Sequence, residues 1–205
     1  MAESFPTKKA FDAAFPKKSK REALIDYEQI ARQEIKTGDL IFFSGNHWMS
    51  SLIQWRSKSN WSHVGMVIWL EERLFLIESV IDHGGVRLIP LSYILKDYDG
   101  MNHHYNGRIA WARHIEMIPE KAEKVKNRAL ELMTKQYDSK EFLRVFWRTF
   151  IGRERLFPDH KFTCAEYVHE CFLKAEIKLK YDKGMFISAG AFWKNKFIEM
   201  KGVIL

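Results

Sequence analysis

Residues 63–70 (HVGMVIWL) and 73–80 (RLFLIESV) are two apolar runs of strand length separated by the pair Glu71–Glu72, and they constrain the fold more than any other segment. Such runs around a charged break read as a half-buried antiparallel hairpin. This hairpin carries His63 near one end and Glu78 near the other. If Glu71 and Glu72 form the loop, Leu70 faces Arg73, His63 faces Val80, and Glu78 is the diagonal neighbour of His63 on the same face. Diagonal neighbours lie roughly 7–8 Å apart at the backbone, within reach of a long carboxylate and an imidazole. A three-residue loop would put the two on opposite faces. Taken alone, the hairpin is better read plainly, as a glutamate at a strand end in water and a satisfied core histidine.

The surrounding pattern places the hairpin in an α+β domain. From Arg21 to Ile35, the residues Leu24, Ile25, Ile30, Ala31 and Ile35 fit one helix face, and KTGDLIFFSG then switches to a strand entered through Gly38. MSSLIQWRSKSN reads as a short helix or ordered loop leading to Trp61. DHGGVRLIPL gives a turn and a strand ending at Pro90, and RIAWARHI gives another strand. Helices are expected at about 119–134, 139–150 and 163–175, with a short one near 188–196. Strands gathered first and helices afterward favour α+β over a βαβ array. With 205 residues, 46% of them apolar and 14% aromatic, the chain can bury one sizeable core. We divide it into a basic N-terminal arm and helix (1–35) and a single domain (36–205).

The net charge of +7 is concentrated near the N-terminus, at Lys8, Lys9, Lys17, Lys18, Lys20 and Arg21. This cluster reads first as a solvated arm. A peripheral membrane contact through it is a sharper alternative, and without a recognisable binding motif no nucleic acid is expected. No apolar run approaches the roughly 20 residues of a membrane span, and MAESFPTKKAF lacks the apolar core of a signal peptide, so the expectation is a cytoplasmic protein.

Two cysteines, Cys164 and Cys171, make neither a disulfide framework nor a zinc-ligand spacing. In FTCAEYVHECF, Thr163 and Glu166 form the T-x-x-E capping-box pattern, which puts Cys164 at the first helical position. The positive end of the helix dipole favours a thiolate there. Cys171, two turns on, gains nothing from the dipole and is expected to be buried. A Cys–His–carboxylate set divides its work plainly: the imidazole takes the thiol proton and later returns it to the leaving group, while the carboxylate orients the imidazole. The adjacent His103–His104, and His47, His83, His114, His160 and His169, sit in no metal-ligand spacing, and no metal or organic cofactor is expected.

Several segments together resemble the circularly permuted branch of the papain-like, NlpC-type cysteine hydrolases, the YiiX-like permuted amidases: GDLIFF (38–43), WSHVGMV (61–67), LIES (76–79), GVRLIPL (85–91), QYD (136–138) and FTCAEYV (162–168). The order His63, Glu78, Cys164 is the permuted one, since ordinary papain-like enzymes place the cysteine first. The resemblance implies a permuted papain-like α+β fold, an antiparallel sheet packed against helices with the cysteine at a helix N-terminus. It implies Cys164 as nucleophile, His63 as base and Glu78 as orienting acid in a cysteine hydrolase of amide bonds. Trp61, Tyr137, Phe162 and Tyr167, all within the matching segments, are the candidate substrate-binding residues. The lecithin retinol acyltransferase-like branch shares the permuted order but carries a histidine as third member and an NCEH-type motif, whereas this chain has Glu78 and TCAEY. Two rivals stand beside the amidase reading. One is a thiol acyltransferase or lipid esterase using the same triad, supported by Phe142, Phe146, Trp147 and Phe150 and by the basic arm. The other is a non-catalytic binding module. The substrate class accordingly spans small molecules, peptides and lipids.

Overall fold

The computed structural model describes residues 31–80, 85–96, 105–134, 163–179 and 187–204, together with Lys9 and Tyr27. The expected helix at 139–150, the basic arm and most of the expected helix 21–35 lie outside the described residues. In chain order the elements are α1 (Arg32–Glu34), β1 (Leu40–Gly45), α2 (Trp48–Ser57), β2 (His63–Leu70), β3 (Arg73–Val80), β4 (Gly85–Pro90), α3 (Leu91–Lys96) and β5 (Gly107–His114). There follow α4 (Pro119–Glu131) with a 3-10 turn at Leu132–Thr134, then α5 (Cys164–Lys174), α6 (Ala189–Lys194) and β6 (Ile198–Val203).

The strands form one antiparallel sheet in the order β4-β3-β2-β1-β5-β6. Its strands read as nearly continuous apolar runs because both faces are covered. Leu40, Phe42, Val64, Met66, Ile68, Ile77, Ala110 and Ala112 enter one core with residues of α4, α5 and α6. The alternate positions Ile41, Phe43, Val67, Leu74, Leu76, Ile109 and Trp111 enter a second core with Tyr27, Ala31, Ile35 and the α3 residues Leu91, Ile94 and Leu95. Period-two alternation thus feeds two cores from the same strands.

A buried carboxylate pins the chain where it enters the sheet. Asp39 is fully buried, and it accepts hydrogen bonds from Arg113 Nε at 2.6 Å, Trp111 Nε1 at 2.7 Å and the Lys36 N–H at 2.9 Å. One charge therefore ties the loop before β1 to β5, with its oxygens satisfied as a buried anion requires. Gly38, the expected strand entrance, has a φ of 89°, the left-handed region that glycine occupies without strain.

The strands expected at 63–70 and 73–80 have those bounds, and the helix expected at 119–134 ends in the 3-10 turn. The segment after Trp48 resolves to a helix. Sequence reading missed α3 and β6. β6 is an edge strand with exposed or half-buried Glu199, Met200 and Lys201, short and charged as edges commonly are, and its apolar content is too thin to announce a strand. Among the described residues, no helix is long and apolar enough to cross a membrane.

Candidate active site

The site begins at the start of α5. Thr163 has extended backbone, its hydroxyl accepts from the Glu166 N–H at 3.3 Å, and the Glu166 carboxylate accepts from the Thr163 N–H at 2.9 Å. Both halves of the capping box are present, so Cys164 is the first helical residue. The face formed by Ala165, Val168, Cys171 and Phe172 is buried in the first core, which holds the helix across β2 and β3 and leaves Cys164 partly exposed at its end.

The hairpin supplies the other two groups. Leu70 pairs with Arg73 and Met66 with Ile77, so the loop is Glu71–Glu72, with Glu71 at a φ of 53°. A left-handed residue in a two-residue loop matches the twist of the flanking strands. In that register Glu78 is diagonal to His63, and its Oε2 accepts from His63 Nε2 at 2.6 Å. The residue between them on this face is Gly65. A Cβ at that position would lie 3.1 Å from the Glu78 Cβ and 2.8 Å from Leu76 Cδ1, so the bare glycine leaves the room in which Glu78 reaches His63.

Arg87 completes the row from β4. It is the register partner of Glu78, and its Nε donates to Glu78 Oε1 at 2.7 Å. Sequence reading passed over Arg87. The signal was the four-residue connection 81–84, which pairs Val80 with Gly85 and thereby sets Arg87 opposite Glu78. Glu78 is only 2% exposed, against 23% for His63 and 15% for Arg87, so a buried carboxylate stands between two cations and both its oxygens are used.

The Cys164 thiol interacts electrostatically with the His63 ring, and the backbone N–H groups of Val64 and Ala165 also favour its thiolate. Since Glu78 engages Nε2, Nδ1 is the ring nitrogen left for the sulfur. Burial is the largest influence on all three groups and opposes charge on each, yet their mutual attraction prevails. The Cys164 thiolate and the Glu78 carboxylate push the imidazole up to about 10. The His63 ring and the two N–H groups hold the thiol below its ordinary range. His63 and Arg87 hold Glu78 below the usual carboxylate range. These directions all favour a thiolate–imidazolium pair backed by an ionised carboxylate. The Phe43 ring, 5.4 Å from the imidazole, walls one side.

Cys164, His63 and Glu78 are thus brought together. Two of the expected substrate contacts, Trp61 and Tyr167, are buried. Trp61 is fully buried and packs on Trp193 at 4.8 Å and Phe42 at 5.9 Å between ring centroids. Tyr167 is also fully buried, and its hydroxyl donates to the Ala129 carbonyl at 2.8 Å. Both faces of the sheet are closed, so these aromatics serve the core and offer no surface to a substrate. Tyr137 and Phe162 lie outside the described residues. Cys171 is fully buried, and burial pushes its thiol well up. His114 packs between Phe172 and Phe197, and among the described residues no three His, Cys, Asp or Glu side chains are grouped to hold a metal ion.

Comparison with known proteins gives a family and a fold neighbour. The family model of the permuted papain-like amidase enzymes, YaeF/YiiX, C92 family, matches residues 34–187. The chain is similar in fold to YiiX of Escherichia coli O157:H7, a protein described as a metalloprotein, with a TM-score of 0.56 and 20% identity, covering 81% of this chain and 96% of that one. No curated protein matches it. The match spans most of the chain and contains every residue of the His63–Glu78–Arg87–Cys164 row, and the chain belongs to the permuted papain-like amidase family.

Proposed function

We propose that the chain is a cysteine amidase in which Cys164 is the nucleophile, His63 the acid–base and Glu78 the orienting carboxylate. The observation that carries this reading is the 2.6 Å bond between His63 and the buried Glu78 carboxylate, beside a Cys164 thiol at a helix start that the imidazole holds below its ordinary range. Membership of an amidase-type hydrolase family supports the reaction class.

The thiolate attacks the substrate carbonyl carbon, and the C=O electron pair moves to oxygen. The Cys164 N–H, at the first helical position and without an intrahelical acceptor, suits that oxyanion. Collapse breaks the C–N bond as His63 gives its proton to the departing amine, leaving a thioester. Water then loses a proton to His63 as its oxygen attacks the thioester, and the acid leaves with the thiolate restored. Glu78 stays ionised throughout and keeps the ring in the tautomer that presents Nδ1 to sulfur.

Both Glu78 oxygens are committed, one to His63 and one to Arg87, and among the described residues no three His, Cys, Asp or Glu side chains are grouped to hold a metal ion.

The test is acyl-donor profiling with activated amides and esters beside Cys164→Ala. A burst of the amine product followed by slow turnover, absent in the variant, is expected. Turnover of lipid esters with no amide cleaved would move the assignment to the esterase or acyltransferase reading. An unchanged background rate in wild type and variant on every donor would leave a binding module.

A further inference from the structure

Helix α2 is turned inside out relative to an ordinary surface helix. Its inward side is largely polar: Gln54 Nε2 donates to Ser44 Oγ at 3.1 Å and to the Asn60 carbonyl at 3.0 Å, and Ser57 Oγ donates to the Ile53 carbonyl at 2.8 Å. Its outward side carries the large aromatics. Trp48 is 65% exposed and Trp55 69% exposed, with exposed Ser51 between them and exposed Lys58 beyond. Residues seven apart fall within about 20° of one another around a helix, so both indoles lie along one stripe roughly 10 Å long. A surface helix normally presents the reverse pattern, with its apolar stripe toward the core.

The charge of the region identifies what such a stripe meets. Between Asp39 and Glu71 the chain contains no Asp or Glu, while Arg56 and Lys58 are cationic. Exposed Lys194 of α6 adds a third cation, its Nζ resting 2.8 Å from the Lys58 carbonyl and 3.1 Å from the Ser57 carbonyl at the end of α2. Two exposed indoles on a stretch that carries cations and, from residue 40 to 70, no Asp or Glu match the interface of an anionic bilayer: the rings settle at headgroup depth and the exposed Lys58 and Lys194 meet the lipid phosphates.

We infer that α2 is a membrane-docking helix, seating Trp48 and Trp55 in the interface of an anionic lipid surface. Gln54 bonds to the Asn60 carbonyl, three residues before His63, so docking would hold the beginning of β2 close to the lipid plane. This surface is built from residues of α2 and α6, not from those of the N-terminal arm, and the inference does not depend on the amidase reading because binding is measured without turnover.

The experiment is co-sedimentation of the full chain with vesicles of phosphatidylcholine alone and of phosphatidylcholine with phosphatidylglycerol, at low and at raised salt. Wild type is expected to sediment with the anionic vesicles, weakly with the neutral ones, and less as salt rises. Trp48→Ser/Trp55→Ser is expected to lower the partition coefficient by roughly tenfold or more, since each indole removes a large apolar area from water. Trp48→Phe/Trp55→Phe should restore much of it. The serine variant keeps the basic arm, so binding that survives in it reports the arm. Alkylation of Cys164 at the wild-type rate shows that the variant is folded. The inference is overturned if wild type stays in solution with both compositions, if it binds both equally, or if the serine variant sediments as wild type does.

Discussion

Replacing Glu78 by Gln alters one atom of the row and reverses its logic. Arg87 has only donors to offer, so the new amide oxygen must stay toward Arg87 Nε, where Oε1 now accepts at 2.7 Å. The amide NH₂ then occupies the place of Oε2, 2.6 Å from His63 Nε2. Two donors cannot face each other, so Nε2 becomes the acceptor and the ring proton moves to Nδ1, the nitrogen facing the sulfur. An imidazole already protonated there and stripped of its carboxylate can neither take the thiol proton nor hold a stable positive charge.

Loss of the charge-assisted bond alone is worth about 1.5–3 kcal/mol, which at about 1.4 kcal/mol per decade predicts a roughly 10- to 150-fold loss of Cys164 reactivity at neutral pH. The wrong tautomer deepens the loss in amide turnover toward about 10⁴-fold. The pH profile gives the sign. In wild type the thiolate–imidazolium pair exists above the lowered thiol pKa and persists until His63 deprotonates near 10, so the iodoacetamide rate should be flat between those limits. In the variant, burial acts on His63 with less to oppose it and its pKa falls; the thiol loses its imidazolium and its pKa rises. Reactivity should therefore be low at neutral pH and climb through and above the ordinary thiol range near 8.5. Mass spectrometry of Cys164 alkylation against pH reads this directly. A variant with the wild-type rate and a flat profile would show that Glu78 is not what keeps the ring charged.

Other outcomes follow from the same contacts. Iodoacetamide at neutral pH should modify Cys164 at least about a hundredfold faster than Cys171, because burial has pushed the Cys171 thiol well up; peptide mapping over time checks it, and equal rates would mean the nucleophile is misassigned. Gly65→Ala drives a methyl to 2.8 Å from Leu76 Cδ1 and 3.1 Å from Glu78 Cβ, which should destabilise the fold by about 1–3 kcal/mol in urea and slow Cys164 alkylation by parting Glu78 from His63. Asp39→Ala leaves Trp111 Nε1 and Arg113 without their carboxylate and should cost about 3–5 kcal/mol by urea unfolding, while the alkylation rate of the folded variant stays at the wild-type value.

What could be read from the sequence was what depends on nearby residues. The His63–Glu78 contact needs only the length of one loop, because register in a two-strand hairpin propagates without error along the strands. The position of Cys164 needs only Thr163 and Glu166, neighbours within one helical turn. Arg87 required the length of a second loop, and β6 required knowing which edge of the sheet was still open, a property of the assembled sheet rather than of IEMKGV itself. The burial of Trp61 and Tyr167 was hidden for a related reason: an aromatic close in sequence to a candidate site residue alternates or rotates away from it in space. Trp61 is two residues before His63 yet packs with Trp193, and Tyr167, three after Cys164, ends at Ala129.

The permuted chain order also has a physical consequence. His63, Glu78 and Arg87 come from consecutive strands and are fixed by hairpin registers, so the proposed base, its proposed orienting acid and the cation behind that acid are placed by one piece of sheet. Cys164 arrives from a helix far along the chain, held there by the core packing of Ala165, Val168 and Phe172. The His63–Glu78 pair is therefore preorganised independently of Cys164, and the lowering of the Cys164 thiol by His63 requires α5 to be seated. The depressed thiol pKa belongs to the docked helix rather than to the cysteine. Weakening the α5 core contacts is therefore expected to raise the Cys164 thiol toward its ordinary range while the His63–Glu78 bond within the hairpin persists, and the pH profile of Cys164 alkylation in a Phe172→Ala variant checks it.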